Sequence, residues 1–154
     1  MDEIDRNITV ALQQDGSSGL AELAKVAGLS VSATAERVKR LEERGVIRAW
    51  RADLDPAEAG CPLLAHVLVT VAPGRDDAAF RDRMLGEDAV LECHAVTGAW
   101  TYLLKLRLAD LAALDAFLGG DLRPLPGVQR VETLLAIATV KETAMLPVAP
   151  AIEE

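Results

Sequence analysis

Residues 20–45 read LAELAKVAGLSVSATAERVKRLEERG, and this stretch decides the first half of the fold. Leu20, Leu23, Ala24 and Ala27 fall on one face of a short helix, which Gly28 closes as a left-handed cap. Ser30 is the N-cap of a second helix, and Gly45 ends it after Glu43-Arg44. Only Gly28-Leu29 stands between the two, so they form a helix-turn-helix pair. On the second helix Val31, Thr34, Ala35, Val38 and Leu41 share one side. The opposite side carries Ser32, Ala33, Glu36, Arg37, Lys39 and Arg40, small residues first and cations later. That gradient suits a helix entering a DNA major groove by its N-terminal end.

Upstream, Ile4, Ile8, Ala11 and Leu12 keep helical spacing until Asp15-Gly16. Residues 1–45 are therefore a three-helix DNA-binding domain by pattern. Downstream, Arg37, Lys39, Arg40, Arg44, Arg48 and Arg51 face only Glu42 and Glu43, a local charge of +4 in a chain of net charge -8. The whole-chain charge opposes a polyanionic partner, and the local excess invites one. Arg48 and Arg51 extend the candidate DNA surface formed by Ser32, Ala33, Glu36, Arg37, Lys39 and Arg40. Arg37 and Arg40 are placed either for guanine edges or for phosphates, and Glu36 either for a cytosine or for orienting Arg40.

Val46 to Leu54 alternates as a strand would, and Asp55-Pro56 stops it. A lone strand leaves unpaired edges, so the expected partner is the same strand of a second subunit. Asp55 to Pro62, with two prolines and Gly60, reads as a hinge, which makes 46–62 a linker. From residue 63 to 154 the predicted order is strand Leu63–Val71, helix Asp76–Leu85, strands Val90–Thr97 and Tyr102–Leu108, a helix capped by Asp110, and a last strand Val128–Val140. In the second helix Leu111, Leu114, Phe117 and Leu118 are expected to face inward, with Gly119-Gly120 loosening its end. This β-α-β-β-α-β order is that of a ferredoxin-like sandwich, so the chain is α+β. The first and last strands are apolar on both sides by alternation, which predicts a subunit covering the second face of the sheet.

Several classes of function drop out. No apolar run is long enough to span a bilayer, and Met1-Asp2-Glu3 is unlike a basic signal-peptide start, so a cytoplasmic protein is expected. Cys61 and Cys93 are too few for a disulfide framework. Cys93-His94 and His66 lack metal-ligand spacing, and no phosphate loop, nucleophile elbow or catalytic carboxylate pair is present. No cofactor, metal or enzymatic activity is expected.

Ile4-Asp5-Arg6, Leu12-Gln13-Gln14-Asp15-Gly16, Glu22-Leu23-Ala24, Gly28-Leu29-Ser30 and Arg37-Val38-Lys39-Arg40-Leu41-Glu42 continue into Gly45-Val46-Ile47. Beyond the hinge come Glu92-Cys93-His94, Val96-Thr97-Gly98, Tyr102-Leu103-Leu104-Lys105, Leu125-Pro126-Gly127-Val128, Val140-Lys141 and Leu146-Pro147. In that order, over nearly the whole chain, the series resembles the leucine-responsive regulator / AsnC (Lrp/AsnC) family of prokaryotic transcription regulators. The resemblance implies a helix-turn-helix domain joined to an effector-binding, oligomerising domain. It also implies homodimers that assemble further, often into octamers, on nucleoid DNA. An effector, usually an amino acid, would sit where dimers meet.

On that resemblance the effector site would comprise Gly98, Ala99, Trp100, Thr101 and Tyr102, with Ala136 and Ala138. Here the chain departs from the family pattern, because Ala99 and Thr101 stand where aspartates are common. An ammonium removed from water needs a counter-charge. Either carbonyls and Thr101 meet it, or the ligand lacks one, with Trp100 as an apolar or cation–π wall. Two rival readings fit the sequence, an architectural DNA-organising protein with little sequence preference and a metabolite-binding module that has lost DNA binding.

Overall fold

A computed structural model describes residues 1–148; the last six residues of the predicted C-terminal domain, 149–154, lie outside the described residues. The chain divides into two compact units, Met1–Asp53 together with the segment from Lys141, and Leu54–Val140.

In the first unit α1 spans Glu3–Gln14, α2 Leu20–Ala27 and α3 Val31–Glu43. Asp2 caps α1, its carboxylate accepting the Asp5 N–H at 2.8 Å. Gly28 ends α2 at φ 65°, and Leu29 N–H returns to the Ala24 carbonyl at 3.1 Å, the six-to-one bond of a Schellman turn. Ser30 then caps α3, accepting the Ala33 N–H at 3.2 Å. Fully buried Thr34 donates its hydroxyl to the Ser30 carbonyl at 3.0 Å, so the turn is held from both sides. Ile8, Ala27 and Leu41 form the core, with Ile4, Leu12, Leu29, Val38 and Ile47 packed against it. Val31, on the predicted inner side, is 49% exposed because it occupies the first position of α3, beyond that core.

Within one chain the segment Val46–Leu54, expected to pair with the same strand of a second subunit, has no ladder partner. Gly45, at φ 69°, turns the chain, and the N–H groups of Val46 and Ile47 both go to the Leu41 carbonyl, closing α3. Beyond Ile47 no strand runs alongside the segment among the described residues, and a ladder needs a second edge. Trp50 fixes it instead, its indole N–H donating to the Glu42 carboxylate at 2.7 Å. The segment from Lys141 joins this unit through Gln13. The Gln13 amide donates to the Leu146 carbonyl at 3.1 Å and accepts the Leu146 N–H at 2.7 Å, as a strand neighbour's peptide would.

In the second unit the hinge residues form an ordered turn, with Asp55 accepting the Ala57 N–H at 2.7 Å and its carbonyl accepting from Ala59. β1 (Leu63–Val71), α4 (Arg75–Leu85), β2 (Val90–Ala95), β3 (Tyr102–Leu108), α5 (Leu111–Ala116) and β4 (Val128–Leu135) follow. The sheet is antiparallel throughout, in the order β2-β3-β1-β4, as a ferredoxin-like sandwich requires. Ala65, Val67, Val69 and Val71 with Tyr102, Leu104, Leu106 and Leu108 meet Phe80, Met84, Leu114, Phe117, Leu118 and Leu122 in one core.

Leu111 is 60% exposed, standing at the first position of α5 outside this core. The helix then widens into a π-helical segment, Phe117–Leu122, which brings Leu122 round beside Phe117 and Leu118; Gly119-Gly120 add no side chains to crowd it. β2 ends at Ala95, opposite the first residue of β3, and β4 at Leu135, short of their predicted limits; past Leu135 a single bond, Ala136 N–H to the Leu64 carbonyl at 3.0 Å, continues the ladder before the chain leaves β1.

The outer face of the sheet is also less apolar than alternation suggests. A band of Leu64, Leu68, Leu103 and Leu134 is framed by His66, Thr70, Lys105, Arg107, Arg130 and Glu132. No helix among the described residues is long and apolar enough to cross a membrane.

Candidate DNA-binding and effector sites

The Ser30 cap and the Gly28 turn set the N-terminal end of α3 proud of the first unit, and Ser32, Ala33, Glu36, Lys39 and Arg40 are all exposed on it. Glu36 accepts from Arg40 Nε at 3.1 Å, and Lys39 lies 3.7 Å from Glu43, both one helical turn apart. Without DNA, Glu36 thus holds the Arg40 side chain along the helix. Such exposed pairs are weak and exchange readily for phosphates. Arg48 and Arg51 are exposed on the segment that Trp50 anchors, and Arg51 lines a shallow hollow with Gly16, Ser17, Trp50 and Ala52.

Arg37 differs from its neighbours. Its Nη1 donates to Asp2 Oδ2 and to Asp5 Oδ1, each at 2.7 Å, and its side chain is only 29% exposed. The Asp5 N–H and the Arg37 guanidinium together hold the Asp2 carboxyl below its usual range. These two aspartates in turn raise the already high pKa of Arg37.

The predicted effector residues do not gather at one place. Thr97–Thr101 make the turn between β2 and β3, with Gly98 at φ 107° and Val96 N–H bonded to the Thr101 carbonyl at 3.0 Å. Thr101 N–H goes to the Val69 carbonyl, and its hydroxyl accepts the Val71 N–H at 3.2 Å, extending the β3 side of β1 past the last paired residue. Ala99 is exposed. Half-buried Trp100 lies beneath Arg130, whose guanidinium carbon is 4.0 Å from the indole centroid. Arg130 Nη2 also lies 3.6 Å from Glu132.

Tyr102 belongs elsewhere. It alternates inward with Leu104 and Leu106, stacks on Phe80 at 4.8 Å, and is 2% exposed. Its hydroxyl donates to Asp77 and accepts from Arg81 Nε, both at 2.6 Å on α4. Burial, and then the Asp77 bond, push its pKa above the ordinary phenol value. Ala136 and Ala138 lie past the end of β4, exposed, with Ala136 N–H on the Leu64 carbonyl. Leu64 and Val69 are five residues apart on β1, about 17 Å, so within one chain the alanines and the turn stand at opposite ends of the sheet.

Sequence reasoning missed Arg130. Only the pairing of Arg130 with Thr70 across β1 and β4 brings it to the turn, and strand register is not written in either segment alone. Among the described residues no three His, Cys, Asp or Glu side chains gather as a metal site. Cys93 pairs with Leu104 and His94 with Leu103, on opposite faces, and His94 is bonded to Glu92 at 3.1 Å.

Residues 1–42 match the AsnC-type helix-turn-helix domain, and residues 64–146 match the Lrp/AsnC ligand binding domain. The chain belongs to the Lrp/AsnC family. It is 40% identical to a leucine-responsive regulatory protein of Haemophilus influenzae over 95% of this chain and 89% of that protein. It is 35% identical to the HTH-type transcriptional regulator FL11 of Pyrococcus abyssi, over 96% of this chain and 97% of that one. Among solved structures, a transcriptional regulator of Neisseria meningitidis in complex with L-Met superposes with a TM-score of 0.91 at 30% identity, covering 96% of each chain. An AsnC family regulator of Agrobacterium tumefaciens gives a TM-score of 0.89 at 32% identity, covering 96% of this chain and 97% of that one. As a member of the Lrp/AsnC family this chain is a DNA-binding transcription regulator with a ligand-binding domain, and not an enzyme.

Proposed function

We propose that this Lrp/AsnC regulator binds a specific operator through Ser32, Ala33, Glu36, Lys39 and Arg40, with Arg48 and Arg51 on flanking phosphates, and responds to a small carboxylate at the 97–101 turn. The observation that carries this reading is the contrast between the two sites. The first unit exposes a small-then-cationic helix face, and the second holds a guanidinium stacked on an indole beside a turn with no acidic residue of its own.

Arg130 supplies donors for a carboxylate, and Trp100 supplies an apolar wall. One of the two acceptor lone pairs of the Thr101 hydroxyl is taken by Val71, so an ammonium at the turn would rely mainly on backbone carbonyls or on Glu132. The effector is accordingly an amino acid or its deaminated derivative, the class suggested by the L-Met bound to the Neisseria relative. Because Ala136 and Ala138 stand far from the turn within one chain, a complete site would draw them from another copy. That favours a homodimer assembling to an octamer, acting in the cytoplasm on nucleoid DNA.

The test measures affinity for a duplex selected from a random-sequence pool against unselected DNA at fixed salt, with amino acids and their 2-oxo acids added in turn. A ligand that binds by calorimetry and shifts either the affinity or the sedimentation coefficient supports the proposal. Equal affinity for both duplexes, with no ligand effect, contradicts it.

A further inference from the structure

We infer that Arg37 does not read DNA but is the positioning residue that fixes the recognition helix to the first helix. Arg37 lies on the outward half of α3 by its sequence spacing, among residues that face solvent. Yet both hydrogens of its Nη1 are spent, one on Asp2 and one on Asp5, at 2.7 Å each. Asp5 is a buried carboxylate, its side chain 11% exposed, so it requires a cation. Asp2 does double duty, with one oxygen capping α1 and the other on Arg37. The N-terminus of α1, where two carboxylates also complement the helix dipole, is thereby bolted to the middle of α3.

Apolar packing between α1 and α3 comes from Ile8 and Leu41 with Ile4, Leu12 and Val38, which resist separation but resist sliding and rotation weakly. Two directional charge-assisted bonds at one guanidinium nitrogen fix the rotation of α3 about that contact. The rotation decides whether Ser32, Glu36, Lys39 and Arg40 present themselves to base edges. The clamp therefore governs specific binding while contributing no phosphate contact.

The experiment compares Arg37→Gln, Asp5→Asn and the exchange Arg37→Asp/Asp5→Arg with the parent, folded state being checked by circular dichroism. Affinity for the strongest duplex selected from a random-sequence pool and for unselected DNA is measured across a salt series. The clamp predicts that Arg37→Gln and Asp5→Asn each lower the selected-to-unselected ratio about tenfold, that combining them costs little more, and that the exchange recovers most of the loss. The slope of log affinity on log salt stays at the parent value in all of them. A role in global stability alone would leave the ratio of the folded protein unmoved, and that result overturns the inference. A slope reduced by about 0.9 in Arg37→Gln, the value of one lost phosphate contact, also overturns it, as does an unchanged ratio in Asp5→Asn. Should Asp5→Asn unfold, Asp2→Asn removes the more exposed partner while an asparagine still caps α1, and the same ratio and slope decide.

Discussion

Arg130 lies over the face of Trp100, 4.0 Å from guanidinium carbon to ring centroid, although the two residues sit on a turn and a strand separated by β1. The stack therefore braces the β2–β3 turn against β4 from above the sheet. With the Arg130 side chain exposed, the stack contributes little to folding, about 0.5–1 kcal/mol. Arg130→Gln should leave the urea midpoint nearly unchanged and lower affinity for a carboxylate ligand about tenfold or more, as calorimetry would register. Trp100→Ala should lose the ligand as well. If either variant bound the ligand as the parent does, the turn would not be the effector site.

The indole of Trp50 gives a second, independent anchor, since its N–H bonds the Glu42 carboxylate on α3. Trp50→Phe keeps the ring and removes the bond, at a cost of about 0.5–1.5 kcal/mol. Amides of residues 48–52 should then exchange faster with deuterium, while those of α2 keep the parent rate. Uniform acceleration across the first unit would mean that Trp50 supports the whole core and not the segment.

Two glycines with positive φ separate conformational strain from collision. Gly28 at φ 65° has open space where a side chain would go, whereas a Cβ at Gly127, φ 81°, would overlap that of Asp76. Gly28→Ala should cost about 1–2 kcal/mol, the left-handed penalty alone. Gly127→Ala should cost more than that, read as a larger drop in denaturation midpoint of the second unit. Equal costs would mean that α4 gives way freely at Asp76.

Tyr102 makes the second unit sensitive to alkali. Its phenol pKa is raised on folding, by burial first and by the Asp77 bond second. The folded protein thus keeps a proton that the unfolded chain loses, and the stability this adds is present in full below the ordinary phenol pKa of about 10. It disappears as pH rises through the higher folded value. Tyr102→Phe should flatten the fall in stability above pH ~10. At neutral pH it leaves Arg81 and Asp77 paired with each other at 3.0 Å.

Periodicity carried most of the fold. α2, β1 and β3 occupy their predicted limits because alternating or helical spacing there coincides with burial on one side. The rest depends on information held by another segment. Val46–Leu54 has strand composition but no edge within its own chain, so its expected pairing needs a second copy. Tyr102 joins the effector turn by motif, whereas its alternation with Leu104 and Leu106 puts it in the core. Arg37 looked like its cationic neighbours because its partners lie more than thirty residues away. Arg130 was invisible until strand register put it over Trp100.

The amide clasp between Gln13 and Leu146 spans 133 residues of sequence. On the ribosome, at about 5–20 residues per second, Gln13 is made roughly 7–27 s before its partner exists. The helix-turn-helix residues, 1–42, are thus all synthesised well before the clasp can close, and residues 64–146 of the ligand-binding domain must be made first. Assembly of the first unit is in this sense tied to synthesis of the second.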